Sequence, residues 1–343
     1  MPCRPVARPL FHGHDPMKAG TTTLCRALWL EGEGRAVIRE DALSAGEADA
    51  LVVESRFGAI SRGTEALVAA GLVPESEHER MRAPFQEGDF PFPVKYGYAV
   101  VGEISQGPAE RIGTTVFCLY PHQDRFTVPS EAAVPVPGTV PPERAVLAAN
   151  METALNIVWD AKIGPGDRVA VVGGGLVGML AGSLAARIPA CDVTVVDRNT
   201  DRATIAAALG CDFAGPEKAP TGCDVVIHAS ASEAGLATAL GCAGFEARLV
   251  EASWYGDRAV AVPLGGAFHS QRLEIVASQV GQLPPERRAR WDYRRRMTAA
   301  LDLLADPRLD ILISGETRFS NLAAAYAGIL SDPATLCHRI RYD

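Results

Sequence analysis

Val169-Ala170-Val171-Val172-Gly173-Gly174-Gly175-Leu176-Val177-Gly178-Met179 decides the reading of the C-terminal half. An apolar extended run meets three glycines and then a stretch fit to be a helix. Gly173, Gly175 and Gly178 satisfy G-x-G-x-x-G, a weak pattern by itself in a chain with 33 glycines. Its setting strengthens it. A strand precedes it, a helix follows, and a second apolar strand ends at Asp197, 24 residues beyond Gly173 and near the usual separation of about 20. Gly173 permits the tight turn, Gly175 lets backbone approach a diphosphate, and Gly178 lets helix and strand pack closely. Leu176 and Val177 lead into the helix, whose unpaired N–H groups and dipole favour an anion, and are candidate cofactor contacts. Asp197 is placed to accept hydrogen bonds from the adenosine ribose. A carboxylate there repels a 2′-phosphate, so the cofactor expected is NAD. NADP stays open because Arg198 and Arg202 could neutralise that carboxylate or flank the adenine. The plainer alternative is a glycine-rich turn with no nucleotide.

Outward from that loop, strands (168–172, 193–196, 224–228, 248–252, 274–278) alternate with helices (178–187, 202–209, 233–240). Apolar strands alternating with helices specify an α/β, doubly wound parallel sheet. A helical spacing over 144–159 leads into it. Beyond Pro285 an arginine-rich helix is expected to end near Asp306-Pro307, followed by a strand over 311–313, a helix over 322–330 and an extended piece over 338–342. Glu286 and Asp292 give the arginine helix the look of a solvated face, with an anion-gripping role as the alternative.

The N-terminal half differs in texture. Short runs at 27–30, 35–38, 50–54, 98–104, 115–119 and 125–128, each bounded by Gly, Pro or Asp, predict a partly closed antiparallel barrel. Residues 75–95 turn from polar to proline- and aromatic-rich and read as a loop forming a lid or pocket wall. Residues 1–23 read as a disordered tail, with Met17 an alternative start.

The 343 residues, 48% hydrophobic and 22% charged, suffice for a large core without metals or disulfides. A net charge of −8 gives no attraction to nucleic acid or to an anionic membrane. No run approaches the ~18 apolar residues of a membrane span. Eight cysteines with no CxxC pair and no four-cysteine cluster argue against a zinc ribbon or a disulfide framework. They point to a reducing, cytoplasmic compartment.

The order of parts resembles the medium-chain dehydrogenase/reductase superfamily over about residues 24–343. The resemblance rests on Gly58-Ala59-Ile60-Ser61-Arg62-Gly63-Thr64-Glu65, on Lys95-Tyr96-Gly97-Tyr98-Ala99-Val100-Val101-Gly102-Glu103 and on the Gly173 loop. It implies a GroES-like β-rich catalytic domain over 24–150, a Rossmann domain over 151–285 and a return segment over 286–343 that completes the first. It also implies a small-molecule substrate, a nicotinamide cofactor and a homodimer. Zinc-dependent members carry a Cys where Ser61 stands, Gly-His-Glu where Gly97-Tyr98-Ala99 stands, and a third ligand near Ala148-Ala149. Ser, Tyr and Ala do not make that ligand set, so neither catalytic nor structural zinc is expected. The Ile-Ser-x-Gly-Thr-Glu segment and the Gly-Tyr are similar to the bacteriochlorophyllide 3-(1-hydroxyethyl) dehydrogenase branch, which oxidises a secondary alcohol with a nicotinamide cofactor.

The reaction expected is alcohol–carbonyl interconversion. Reduction of an activated C=C bond is the second reading, and a non-catalytic nucleotide scaffold the third. Without zinc, a side chain must handle the hydroxyl proton. Tyr98 is the first candidate because it stands at a lost ligand position. A nearby cation such as Lys95 would help it act as a base from a starting pKa of about 10. Tyr98 could instead simply fill the vacated hole. Ser61 and Thr64 could orient the substrate oxygen or satisfy a turn, and Glu65 could be a base or a helix cap. Glu152 and Asn156 lie on the helix expected beneath the nicotinamide. Ala229-Ser230 and Trp254-Tyr255 follow sheet strands, where ligands of open α/β sheets sit. They are candidate ribose and nicotinamide contacts, with domain packing as the other role for the second pair. His269 is a weaker candidate, and His78 carries no argument.

Overall fold

The computed structural model describes residues 23–44, 46 and 49–343, so the tail reading and the alternative start at Met17 lie outside the described residues. Among these, a six-stranded parallel sheet has the order Asp212–Ala214, Asp192–Val196, Arg168–Val172, Cys223–His228, Ala243–Glu251, Glu274–Ala277. Val169 to Val172 are buried on both faces, which is why that strand reads as an unbroken apolar run. The chain winds outward in opposite directions from Arg168–Val172 and Cys223–His228. The crevice beyond their C-terminal ends is therefore the topological switch point where such sheets take ligands. Helices Leu176–Ala185, Arg202–Ala208, Glu233–Cys242 and Ala148–Ala161 pack on this sheet or its neighbouring helices.

A second, mostly antiparallel sheet has the order Ile313–Arg318, Cys337–Arg341, Leu51–Ser61, Val100–Gln106, Thr115–Cys118, Val134–Pro135, with Arg125–Val128 also paired to Leu51–Ser61. The last two strands of the chain thus complete a sheet begun near residue 51, with Cys337 opposite Ser61 and Ile340 opposite Gly58. Leu51–Ser61 runs seven residues past the predicted end at 54, straight into the helix Arg62–Ala69. This continuity delivers Ser61, Thr64 and Glu65 to one place.

Three expectations need correction. Residues 75–95 are not loop throughout. Val94–Lys95 and Glu87–Gly88 join a small sheet with Leu24–Gly32 and Arg35–Ala42, and Val94 is fully buried against Leu30. The strand expected at 311–313 is Ile313–Arg318, preceded by a 3-10 turn over Pro307–Leu312 that Asp306 caps. The arginine helix is only Tyr293–Leu303, started by Asp292 accepting from the Arg295 N–H at 2.7 Å. Arg288, Arg290, Arg294 and Arg295 are exposed, but Arg296 is 2% exposed and belongs to the interior. Among the described residues no helix is long and apolar enough to cross a membrane.

Candidate active site

The glycine loop takes the shape its sequence demands. Gly173 sits at φ 116°, and a side chain there would meet the Ser230 nitrogen at 2.6 Å and the Ala229 carbonyl carbon at 2.7 Å. Gly178 packs on the Gly173 carbonyl. A side chain on Gly175 would meet nothing within 4 Å, because its Cα faces the open crevice. Gly175 is also the N-cap of Leu176–Ala185 and offers no side-chain cap, so the first N–H groups, those of Leu176 and Val177 included, are left for a ligand. Asp197 accepts from the Gly174 N–H at 2.6 Å and from the Asn199 N–H at 2.8 Å. The loop and its acid are one unit.

The two arginines separate. Arg198 is exposed beside Asp197. Arg202 is buried and donates to the Pro333 and Ala334 carbonyls at 2.8 and 3.1 Å. Its guanidinium is committed to the C-terminal segment.

Of the three positions expected to have lost zinc ligands, Ser61 and Tyr98 stand together. Ser61 ends its strand and Tyr98 precedes Val100–Gln106. The third contributor is Asn150, on the first turn of Ala148–Ala161, rather than Ala148 or Ala149. Its amide donates to Ser61 Oγ at 3.0 Å, and its Oδ1, in a residue 4% exposed, has no hydrogen-bond partner. The hydroxyls of Ser61 and Thr64 lie beside the Tyr98 phenol, whose pKa is pushed up to about 12 by burial and by the Glu65 carboxylate against their opposing effect. Ser, Asn, Thr and Tyr oxygens are not the thiolate, imidazole and carboxylate donors of a zinc site, so the residues present do not fit that ion. Among the described residues no cluster of three His, Cys, Asp or Glu is placed to hold any metal.

Glu65 is fully buried and already occupied. It accepts from the Ser61 N–H at 2.7 Å, from the Tyr326 hydroxyl at 2.7 Å and shares a 2.9 Å bond with His122 Nε2. Ser61 is the N-cap of Arg62–Ala69, so Glu65 reaches back to cap the start of its own helix and braces Ser61 from beneath; with its oxygens so engaged it is not a free base. Lys95 does not assist Tyr98 either. Its ammonium bonds Glu87 and the Gln123 side chain and lies over the Tyr120 ring. Glu152 and Asn156 both hold the buried Arg296, at 3.0 and 2.6 Å. They join the return helix to Ala148–Ala161.

At the sheet's other strand ends, Trp254 packs, as Tyr98 does, against the apolar cluster that contains Phe90 and Tyr96. A side chain on Gly256 would strike the Leu72 carbonyl at 2.6 Å, so this segment touches the first half of the chain. Ser230 and Tyr255 enclose a pair that sequence reasoning passed over, His228 and Glu251. Both lie on strands, and only the register brings them side by side. His269 is exposed and apart. His78 bonds the Val73 carbonyl at 3.1 Å.

No family model matches the sequence. D-guloside 3-dehydrogenase of Escherichia coli (strain K12) is 25% identical over 331 residues, spanning 88% of this chain and 92% of that protein. Among solved structures, L-idonate 5-dehydrogenase of Escherichia coli superposes with a TM-score of 0.77 at 14% identity, covering 94% of this chain and 99% of that one. An alcohol dehydrogenase of Escherichia coli CFT073 complexed with NADH gives 0.74 at 16% identity, covering 93% and 99%. The chain therefore has the fold of the alcohol and polyol dehydrogenases, a GroES-like half joined to a Rossmann half.

Proposed function

We propose that the protein is an NAD-dependent oxidoreductase that interconverts a secondary alcohol and a carbonyl without a metal. The observation that carries this reading is the group of Ser61, Tyr98 and Asn150 standing together with an unpartnered amide oxygen, in a fold whose glycine loop is open to a diphosphate. A bound nicotinamide would supply the hydride acceptor. The chain's own residues do the rest. The Gly175 N-terminus of the helix and Asp197 bind the cofactor's diphosphate and ribose, and Asp197, with the Arg202 guanidinium held by the Pro333 and Ala334 carbonyls, favours NAD over NADP. Tyr98, protonated up to about pH 12, donates a hydrogen bond to the substrate oxygen and does not act as a base at neutral pH. Ser61 and Asn150 orient that oxygen, and Glu65 fixes Ser61.

The site also limits the substrate. Glu65 is the charge nearest the Tyr98 phenol, and the cations nearby in sequence are engaged: Lys95 as above, and Arg62 on the Leu330 carbonyl at 3.0 Å. A neutral hydroxylated substrate is favoured over a carboxylate or phosphate ester. D-guloside 3-dehydrogenase, named for a reaction at a sugar hydroxyl, supports the alcohol reading over C=C reduction.

The test is cofactor absorbance with metal-free protein against uncharged secondary alcohols, their acidic analogues and enones. Turnover of the first group with NAD is expected. Activity confined to enones, or activity that vanishes on chelation and returns with zinc, rejects the proposal.

A further inference from the structure

The arginine run beyond Pro285 has no part in the site described above. Arg288, Arg290, Arg294 and Arg295 are exposed and Arg287 is half-buried, all within nine positions of the chain. The acids beside them are engaged elsewhere. Glu286 pairs with Lys162 at 2.8 Å, and Asp292 accepts from the Arg295 N–H at 2.7 Å. Among the described residues none of the five guanidiniums has a carboxylate within 4.0 Å. Most are nevertheless held in place. Arg287 lies 4.8 Å over the Trp159 ring and Arg295 4.1 Å over Trp291, and the two indoles tilt against each other with centroids 4.7 Å apart. Arg288 donates to the Leu283 carbonyl at 2.9 Å, Arg294 to the Glu131 carbonyl at 3.0 Å, and Arg295 to the Arg290 carbonyl. A carbonyl or an indole face fixes a guanidinium without cancelling its charge. A flat fork so fixed meets a carboxylate with two parallel hydrogen bonds at a small entropic cost. Two open depressions flank the indole pair. One, of about 400 Å³, has Trp291, Arg294 and Arg295 in its wall, with Asp302 opposite. The other, of about 440 Å³, has Trp159, Arg287 and Arg290. Tyr293, 53% exposed, stands at the start of the same helix.

We propose that this face docks a short acidic segment of a partner protein, with its carboxylates on the arginines and its apolar side chains against the indoles. The proposal is independent of the oxidoreductase reading. Two observations select this occupant. Tryptophan, tyrosine and arginine together are the residues that carry most of the binding energy at protein–protein interfaces. The whole chain, moreover, carries a net charge of −8, so the positive potential here is local. Beyond a screening length of about 8 Å the acidic remainder of the surface prevails. A long nucleic acid or a membrane plane would run onto that remainder, whereas a segment of a few residues stays on the patch.

The experiment is fluorescence anisotropy of a dye-labelled peptide of about eight residues, alternating glutamate and leucine, titrated with the full chain at about 0.15 M salt. The comparison probes are the same peptide with glutamine for glutamate, an oligonucleotide of equal charge, and phosphatidylserine vesicles. The glutamate peptide should bind at least about tenfold more tightly than any of the three. Arg290→Glu with Arg294→Glu, both at exposed positions, should weaken it at least about tenfold and leave urea unfolding and NADH affinity as in the parent. The same charge reversal far along the chain, Arg35→Glu with Arg80→Glu, whose side chains are 71% and 75% exposed, should leave peptide affinity within about threefold. The proposal is overturned if the glutamine peptide binds as well, if binding survives reversal at Arg290 and Arg294, or if the oligonucleotide or the vesicles bind as tightly. It is equally overturned if the parent self-associates in sedimentation and that reversal abolishes it, which would make the occupant a second copy of the chain.

Discussion

At the scale of single residues, the candidate site is a set of oxygen atoms from Ser61, Thr64, Tyr98 and Asn150. Tyr98 is the group whose chemistry its surroundings most restrict. Burial and Glu65 keep it protonated up to about pH 12, which suits a hydrogen-bond donor and disqualifies a base. Tyr98→Phe keeps the ring and removes the donor, so it should lower kcat by about 10²-fold, within the range for a positioned acid–base group, and leave NADH binding nearly unchanged. Stopped-flow hydride transfer and fluorescence titration of NADH separate the two effects. Equal loss of affinity and turnover would mean the phenol merely packs. Gly175 gives the complementary case. Its open surroundings let Gly175→Asp fold, but the carboxylate would stand against the diphosphate. NADH affinity should fall at least about a hundredfold, roughly 2.7 kcal/mol, with unfolding by urea unaffected.

At the scale of elements, a buried ion pair ties the helix Tyr293–Leu303 to Ala148–Ala161. Arg296, on Tyr293–Leu303, reaches Glu152, Asn156 and the Val280 carbonyl. Burial raises the Glu152 pKa, and Arg296 opposes that rise. Arg296→Met would strand a buried carboxyl and an amide, costing about 3–5 kcal/mol. Urea unfolding should register that loss, and Arg296→Met with Glu152→Leu should recover much of it. The arginine run is visible in the sequence, but which of its members turns inward depends on where the helix begins, and Asp292 sets that. The same limit runs through the site. The glycine loop was readable because each glycine answers a local backbone need. The pairing of Ser61 with Tyr98 followed from the resemblance, which pointed to Ala148-Ala149 for the third position; Asn150, which takes that place, sits 89 positions from Ser61, and no local pattern marks it. His122 lies 57 positions from Glu65, and the His228–Glu251 pair exists only through strand register. Local chemistry is written in neighbouring residues, whereas long-range pairs become legible only once the sheets are ordered.

At the scale of the whole molecule, buried phenols tie stability to alkaline pH. Tyr96, Tyr326 and Tyr342 have pKa values raised well above the usual range, and Tyr98 is pushed up to about 12, in every case chiefly by burial. In the unfolded chain each ionises near pH 10. Below that pH both states hold the proton and stability is at its full value. Above it the unfolded state sheds protons that the folded state keeps, so unfolding becomes progressively easier as pH rises toward the folded values. Stability should be flat from pH 8 to about 9.5 and then fall, by up to about 1.4 kcal/mol per pH unit for each such tyrosine. Tyr342 isolates one of these contributions. It packs on Phe319 with ring centroids 4.7 Å apart, and its hydroxyl, close to the Gln123 main chain and to Gly58, meets no partner in hydrogen-bonding geometry. Tyr342→Phe removes a titrating group and no hydrogen bond. Its urea midpoint at pH 8 should equal or exceed that of the parent, and its stability should fall less steeply between pH 10 and 11. An unchanged slope would mean that the Tyr342 phenol ionises in the folded protein as readily as in the unfolded chain, and that its burial exerts no hold on the proton.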